Sequence, residues 1–457
     1  MKSHLTAFVL SATWITGAFA QPRGLDPDPL AAEAIGLQMY LPAGAVVTTQ
    51  AVGQTISYLA TDPEATWSLR ISILTPAVAQ PTAQALAEQH LKAIQATGRT
   101  FQVLANEPRT VGAFEGHLLY IQQVLDDDRQ LVNGWLILPN SPRSFVVFTI
   151  LTTADQFLRL RAVFDASFDS IELRTIDDRL TQRQARVLRG RKLIGTLTAE
   201  KLRSALSERH WYRIYKPGGT GRTGDDTEIG FLSIECTEAM RGQLTPERKP
   251  QLFTGMEMQR GLMVLVEARA IINGEKSHYL DVDGRYWMAW DRASEAWSIR
   301  QTRRMGQASR TTAETGIREH MTLDVIHSSK ERLTRETKRY LIPDIAYLSQ
   351  AEVFLLGRLL PRDGSIAGKM SFYFYDTKSR QLGDRVDDWQ RSRDGSGQWV
   401  LRTLPVLETK PIVQHFDAQG NRIRRIDGDG TVTERIDPDT LKGIWRSKGL
   451  MGRASRQ

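Results

Sequence analysis

The sequence predicts an α+β protein of two domains: an N-terminal α/β/α sandwich built on an antiparallel sheet, a helical connector, and a C-terminal large antiparallel β-sheet or half-barrel. Three observations predict it. Up to residue 174, short runs with apolar residues at every second position are interrupted by only two amphipathic helical stretches. From residue 211 onward nearly every segment is strand-like and ends in a turn dipeptide. The charge also changes sign along the chain. Residues 21–174 hold 10 Lys+Arg against 15 Asp+Glu, a net of −5, whereas residues 175–457 hold 49 against 37, a net of +12. At 457 residues, 41% hydrophobic and 25% charged, the chain is globular and too long for one ordinary core.

Residues 1–20 read as a secretory signal: Lys2, an apolar run over 5–15, then Ala18 and Ala20 as an A-x-A cleavage site before Gln21. The run is shorter than the ~20 residues a membrane span needs. Cys236 is the one cysteine of the chain, so no internal disulfide can form and an exported fold has to be held by its core. In "FLSIECTE" the cysteine shares a strand face with Leu232 and Ile234, which marks a core thiol.

Within 21–174, "GLQMYLP", "TISYLAT" and "TWSLRISILTP" are strands, the last with Trp67, Leu69, Ile71 and Ile73 on one face. A helix follows, with Leu86, Leu91 and Ile94 roughly aligned and Gly98 as its C-terminal stop. Four strands come next, over 100–152. A second helix starts at a Thr153 cap and carries an apolar stripe of Phe157, Leu160, Phe164 and Phe168. At that spacing the stripe is a sheet-packing face rather than an aromatic box for a ligand. His90 and His117 lack partners at metal-ligand spacing.

This order, closing on "FDASFDSIEL", resembles the PsbP-like α/β/α sandwich, a fold named after an extrinsic subunit of photosystem II. The resemblance covers about 145 residues and implies a partner-binding or accessory role with no shared active site.

Residues 175–207 are arginine-rich and helical, with Thr198 opening a "TAEK" cap, and form a connector expected to lie on the following domain. The β-rich domain spans 208–445, with turns at Asn273-Gly274, Asp283-Gly284, Asp394-Gly395 and Asp427-Gly428, and a basic tail covers 446–457. The one break among its strands is a short apolar helix over 351–359, between Pro343 and Pro361. A large sheet with one apolar helix must bury its inner face. The pattern resembles the half-barrel of LolA-like exported carriers, which implies a helix lying across a curved sheet.

Chemistry is mostly excluded. "KPGGTGRTGDD" lacks the Gly-Lys-Ser/Thr ending of a phosphate loop and leads into a strand, so it reads as a hairpin connection; Lys216 and Arg222 are its candidates for an anion. "DGDGTVTERIDP" fails the EF-hand count, with Val432 at position 6 and Pro438 at position 12, and reads as a tight turn. No G-x-S-x-G elbow, H-E-x-x-H or paired C-x-x-C occurs. In "EHMTLDVIH", His320 and Asp324 share a strand face and His327 points the other way. No metal and no cofactor is expected.

Seven of the ten tryptophans lie at or beyond Trp211. In "RYWMAWD" alternation puts Tyr286, Met288 and Trp290 on one face and Trp287 on the other. One set fills the core. The other lines a ligand groove; alternation alone does not say which is which, so the candidate groove residues are Trp287, Trp290, Tyr286, Trp389 and Trp399. The resulting expectation is an exported, non-catalytic binding protein of the bacterial envelope, periplasmic or extracellular, whose β-rich domain binds a lipophilic small molecule or an envelope protein. A protein–protein adaptor is the alternative, and a hydrolase with an unrecognised site ranks last. Export argues against nucleic acid. The basic half and tail are suited to peripheral contact with an anionic membrane.

Overall fold

A computed structural model describes residues 24–450, except 53–54, 78–80, 126–128, 273, 275–277, 330–333, 344–345, 393 and 406–409. The expected signal segment, Asn273 and residues 451–457 of the expected tail lie outside the described residues. The chain divides into two compact units between Ile176 and Asp177.

The first unit contains β1 (Leu30–Ala32), β2 (Leu37–Met39), β3 (Val46–Val52), β4 (Thr55–Thr61), β5 (Trp67–Leu74), α1 (Ala83–Gln95), β6 (Phe101–Val111), β7 (Phe114–Val124), β8 (Gln130–Ser141), β9 (Ser144–Thr153), α2 (Ala154–Asp169) and β10 (Glu172–Leu173). Seven strands form one antiparallel sheet in the order β3-β4-β5-β9-β8-β7-β6, and β1-β2-β10 form a small second one. Period-two alternation sorts the apolar residues onto two faces. Leu118, Tyr120, Leu136, Phe148 and Ile150 face α2 and its Phe157, Phe164 and Phe168. Leu119, Ile121, Trp135, Ile137 and Val147 face α1 and its Leu86 and Ile94. The result is the expected α/β/α layering. Thr153 caps α2 by accepting from the Gln156 amide at 3.4 Å. His90 stacks on Trp135, and His117 bonds Asn106 Oδ1 at 2.7 Å.

The second unit contains α3 (Ile176–Gly195), α4 (Ala199–Ser204), β11 (Ser207–Lys216), β12 (Thr227–Met240), β13 (Arg260–Ile271), β14 (His278–Ala289), β15 (Ser294–Met305), β16 (Ala308–Glu319), β17 (Thr322–Ser329), β18 (Thr334–Leu341), α5 (Gln350–Leu359), β19 (Gly368–Asp376), β20 (Gln381–Arg391), β21 (Trp399–Leu404), β22 (Ile412–Phe416), β23 (Arg422–Ile426), β24 (Val432–Ile436) and α6 (Pro438–Ser447). All fourteen strands make one antiparallel sheet, ordered from β18 back through β11, then β24 back to β19. The sheet curls without closing. Its end strands approach each other, because Tyr375 on β19 packs against Trp297 on β15 and Tyr340 on β18. The β19 edge is covered by residues 346–348, through Leu348 N–H to Tyr373 O (2.8 Å) and Tyr373 N–H to Ala346 O (2.9 Å). The β18 edge, "TRETKRYL", carries the charges that discourage further pairing.

The interior of the curl is filled by α5. Its Ala351, Leu355 and Leu359 pack with Leu262, Val264, Tyr286, Trp297 and Val325, and its Leu356 packs with Phe372, Trp389 and Phe416. Buried charges seat the helix. Glu295 accepts the Gln350 amide at 2.9 Å, the Tyr347 hydroxyl at 2.5 Å and Arg318 Nε at 3.0 Å. Glu352 accepts the Ser349 amide at 2.9 Å and both Nε and Nη2 of Arg292 at 2.5 and 3.1 Å. A buried charge is tolerated only when paired and bonded in this way.

The connector, expected to lie on the following domain, packs into the second unit: Leu193 of α3 sits in its core, and a side chain at Gly190 would collide with the Ser371 carbonyl. Three sequence expectations change here. Asp283-Gly284, expected as a turn, lies mid-strand in β14 opposite Glu267 and Val266. The expected tail does not begin as a free end: α6 runs into it as far as Ser447, and Leu450 buries with Leu441 and Trp445 against Trp211, Phe231 and Ile436. His320 does not share a strand with Asp324: at φ 53° it makes the turn between β16 and β17. Asp324 instead pairs with Arg339 at 2.7 Å on the exposed side.

The glycine-rich loop is the β11–β12 hairpin connection. Asp226 meets Arg213 at 2.9 Å, and Lys448 Nζ reaches the Thr223 and Asp226 carbonyls at 3.1 and 2.6 Å. Lys216 lies 3.6 Å from Asp429. Cys236 is buried in the core of this unit, where loss of hydration pushes its thiol up to about 12.

Candidate functional site

The five aromatic candidates come apart in the structure. The alternation in β14 holds: Tyr286 and Met288 face inward, and Trp287 faces outward. Tyr286 packs on Phe354 of α5, with centroids 4.9 Å apart. Trp287 is covered by residues 239–244; it donates to the Ala239 carbonyl at 3.2 Å and lies under Arg241. Trp389 stacks on Trp399 at 4.9 Å and donates to the Pro361 carbonyl at 2.8 Å. Trp290 is half-buried under the Arg203 guanidinium. Tyr286, Trp290, Trp389 and Trp399 face protein because α5 and the connector helices occupy the space a lipophilic groove would need, and Trp287 because residues 239–244 cover the outer face.

An open site appears elsewhere, at the mouth of the curl, and the register of β15 to β18 builds it. Residues directly opposite one another form rungs on the inner face. The deepest rung is Glu295, Arg318, Leu323 and Tyr340; the next is Trp297, Gly316, Val325 and Lys338. The third is Ile299, Glu314, His327 and Glu336, and the fourth is Gln301, Thr312, Ser329 and Thr334. Arg303 and Arg310 face each other beyond them. The inner face therefore passes from core to polar along the same four strands. With the β19–β20 turn (Thr377, Lys378, Arg380) across from them, the third and fourth rungs and Arg310 line a cleft of about 820 Å³.

The floor of the cleft is a bonded cluster. Glu314 accepts from Trp297 Nε1 at 2.9 Å and lies 3.4 Å from His327 Nδ1. His327 Nε2 is 3.4 Å from the Tyr375 hydroxyl. The Tyr340 hydroxyl donates to the Arg380 carbonyl at 2.9 Å and fixes the turn over the cleft. Burial raises the Glu314 carboxyl and the Tyr375 hydroxyl above their ordinary values. Burial, and then Arg380, lower His327.

Sequence reasoning separated His327 from the other candidates but gave it no role. The usable signal was "SIRQTRR": a strand that keeps its inward register while its inward residues turn polar. Among the described residues, no group of three or more His, Cys, Asp or Glu is placed to hold a metal ion. No described helix is long and apolar enough to cross a membrane.

No protein-family model matches the chain, and no curated protein matches it either. Solved structures do. Cyanobacterial PsbP from Synechocystis sp. PCC 6803 is similar over 36% of this chain and 99% of its own, at 15% identity and a TM-score of 0.27. The β-barrel-like protein of domain of unknown function DUF1849 from Brucella abortus is similar over 51% of this chain and 96% of its own, at 10% identity and a TM-score of 0.33. LpqN of Mycobacterium tuberculosis, described as involved in cell envelope biogenesis, is similar over 32% and 86%, at 14% identity and a TM-score of 0.24. The PsbP-like resemblance read from the sequence thus recurs among solved structures at low identity. Likenesses of this size carry nothing about chemistry, partner or place.

Proposed function

We propose that the chain is an exported, non-catalytic binding protein of the cell envelope, and that its second unit holds a polar envelope component at the mouth of the curled sheet. One observation carries the reading: among the described residues the curl is packed by α5 while its mouth stays open, with about 820 Å³ lined mostly by charged and hydroxyl-bearing residues. A lipophilic carrier needs an apolar cavity, and the described interior is occupied. Export rests on the reading of residues 1–20 as a signal.

The test is hydrogen exchange of the purified mature chain with and without a bacterial envelope extract, alongside native mass spectrometry. The expected result is protection of β16 and β17 together with a bound polar mass. A co-purified acyl-chain lipid, with no protection at the mouth, would overturn the reading.

A further inference from the structure

Resting on that reading of the mouth, we infer that its ligand is a multiply charged anion bearing phosphate or carboxylate groups. Three cationic side chains line the cleft, and they come from two elements: Arg310 on β16, and Lys378 and Arg380 on the β19–β20 turn. Two carboxylates oppose them. Glu314 is held at the floor by Trp297, and its burial disfavours the charged form. Glu336 has Lys338 at 3.2 Å. Among the described residues, Arg310 and Arg380 form no ion pair. The cleft therefore presents a positive field, and its concave wall focuses that field on whatever enters.

Two features at the mouth work against the stability of the protein alone. Arg303 and Arg310 stand directly opposite across β15 and β16, and facing like charges repel. Arg380 holds φ at 56°, a left-handed conformation that non-glycine residues rarely adopt. Here the twist of the turn, pinned by Tyr340, keeps the Arg380 guanidinium at the cleft. Guanidinium groups match the oxygens of phosphate and carboxylate in paired bonds. The hydroxyls of Thr312 and Thr334 supply further partners for such oxygens. The volume is in the range of a small organic ligand, so it accommodates several charged groups.

The experiment is calorimetric titration of the mature chain with tripolyphosphate, citrate and neutral maltotriose at matched ionic strength, with hydrogen exchange locating each bound probe. Tripolyphosphate or citrate is expected to bind and to protect β16 and β17; which of the two binds tighter distinguishes a phosphate ligand from a carboxylate one. Arg310→Ser and Arg380→Gly are each expected to weaken binding about tenfold or more. Arg380→Gly carries a second readout. Glycine suits the left-handed position, so this variant is expected to melt higher while binding more weakly. Absence of anion binding overturns the inference, and if maltotriose still protects the mouth, the polar-site reading survives alone. Anion binding that Arg310→Ser and Arg380→Gly leave unchanged also overturns it.

Discussion

The two units bury different things. In the first unit the buried polar residues among those described are His117, Asn140, Thr152 and Ser167, and none of them carries a permanent charge. In the second, Arg213, Glu228, Glu295, Arg318, Glu352, Arg385 and Asp387 are all buried. A sheet covered by a helix on each face satisfies its backbone within the sheet and needs only apolar contacts between layers. A sheet curled around a ten-residue helix must also satisfy that helix's free N-terminal amides inside the protein. Glu295 and Glu352 do so, and they require Arg318 and Arg292 to balance them. Ion pairs here fasten the helix in place, whereas the first unit relies on ring packing such as Trp67 against Phe164.

Replacing one partner in each unit breaks the comparison most severely. Glu352→Ala strands Arg292 as a buried unpaired cation and removes the carboxylate arm of the α5 capping box, with an expected cost of about 3–5 kcal/mol. Phe164→Ala in the first unit is expected to cost a similar amount, about 3–5 kcal/mol, from lost contact and a cavity. What separates them is rescue. Replacing Arg292 and Glu352 together by methionine is expected to recover most of the loss, because the unpaired charge goes with its partner. Urea unfolding, with hydrogen exchange read separately in α5 and in β7 to β9, checks it. A Glu352→Ala loss below about 1 kcal/mol would show that the ion pair does not hold the helix.

A smaller effect sharpens the same contrast. Each unit seats an aromatic ring over a mid-strand glycine. A Cβ at Gly134 would lie 2.6 Å from Tyr120, and one at Gly316 would overlap the Trp297 ring. Alanine at either site is expected to cost about 1–3 kcal/mol by overpacking. The Gly316 change should cost more, because Trp297 is held in place by Glu314 at 2.9 Å, whereas Tyr120 has a looser 3.3 Å contact to Asp165. Thermal melts of the two variants decide it; equal losses would show that the Glu314 bond does not restrain the ring.

Local signals read well where the fold is local. Thr153 and Thr198 cap the helices expected of them, the stripe of Phe157, Phe164 and Phe168 packs on the sheet, and the helix around 351–359 lies within α5. The inward alternation of Tyr286 and Met288 was legible as well. The filling of the curl was not, because nothing in "QAEVFLLGRL" says that Glu352 will meet Arg292 sixty residues earlier. The mouth was hidden for a related reason. Gln301, Thr312, Ser329 and Thr334 read as ordinary outward polar residues until the pairing of four strands places them on one rung. His320 was misplaced because "EHMT" lacks the glycine or asparagine that usually marks a left-handed turn.

The smallest expected effect concerns protons. His327 faces Glu314, Glu336, Lys338, Arg380 and the Tyr375 hydroxyl, and burial and then Arg380 lower it below its ordinary value. A lowered histidine is more readily protonated in the unfolded chain than in the folded one, so the unfolded state binds more protons in that window. Stability is therefore full above about 6.5, the unfolded value, and falls as pH drops toward the folded value. Glu314 moves the other way: burial raises it, so its contribution is fully present below its unfolded value and is lost as pH rises through the raised folded one. The His327 contribution is expected to vanish in His327→Gln, which keeps a polar group on the rung but does not titrate. His90 and His117 are also lowered by burial, so the first unit should soften over the same range and remain unaffected by this substitution. Hydrogen exchange at pH 7.5 and 5.5 on both proteins reads each unit separately. An unchanged pH response of β17 in His327→Gln would assign the titration to another group at the mouth.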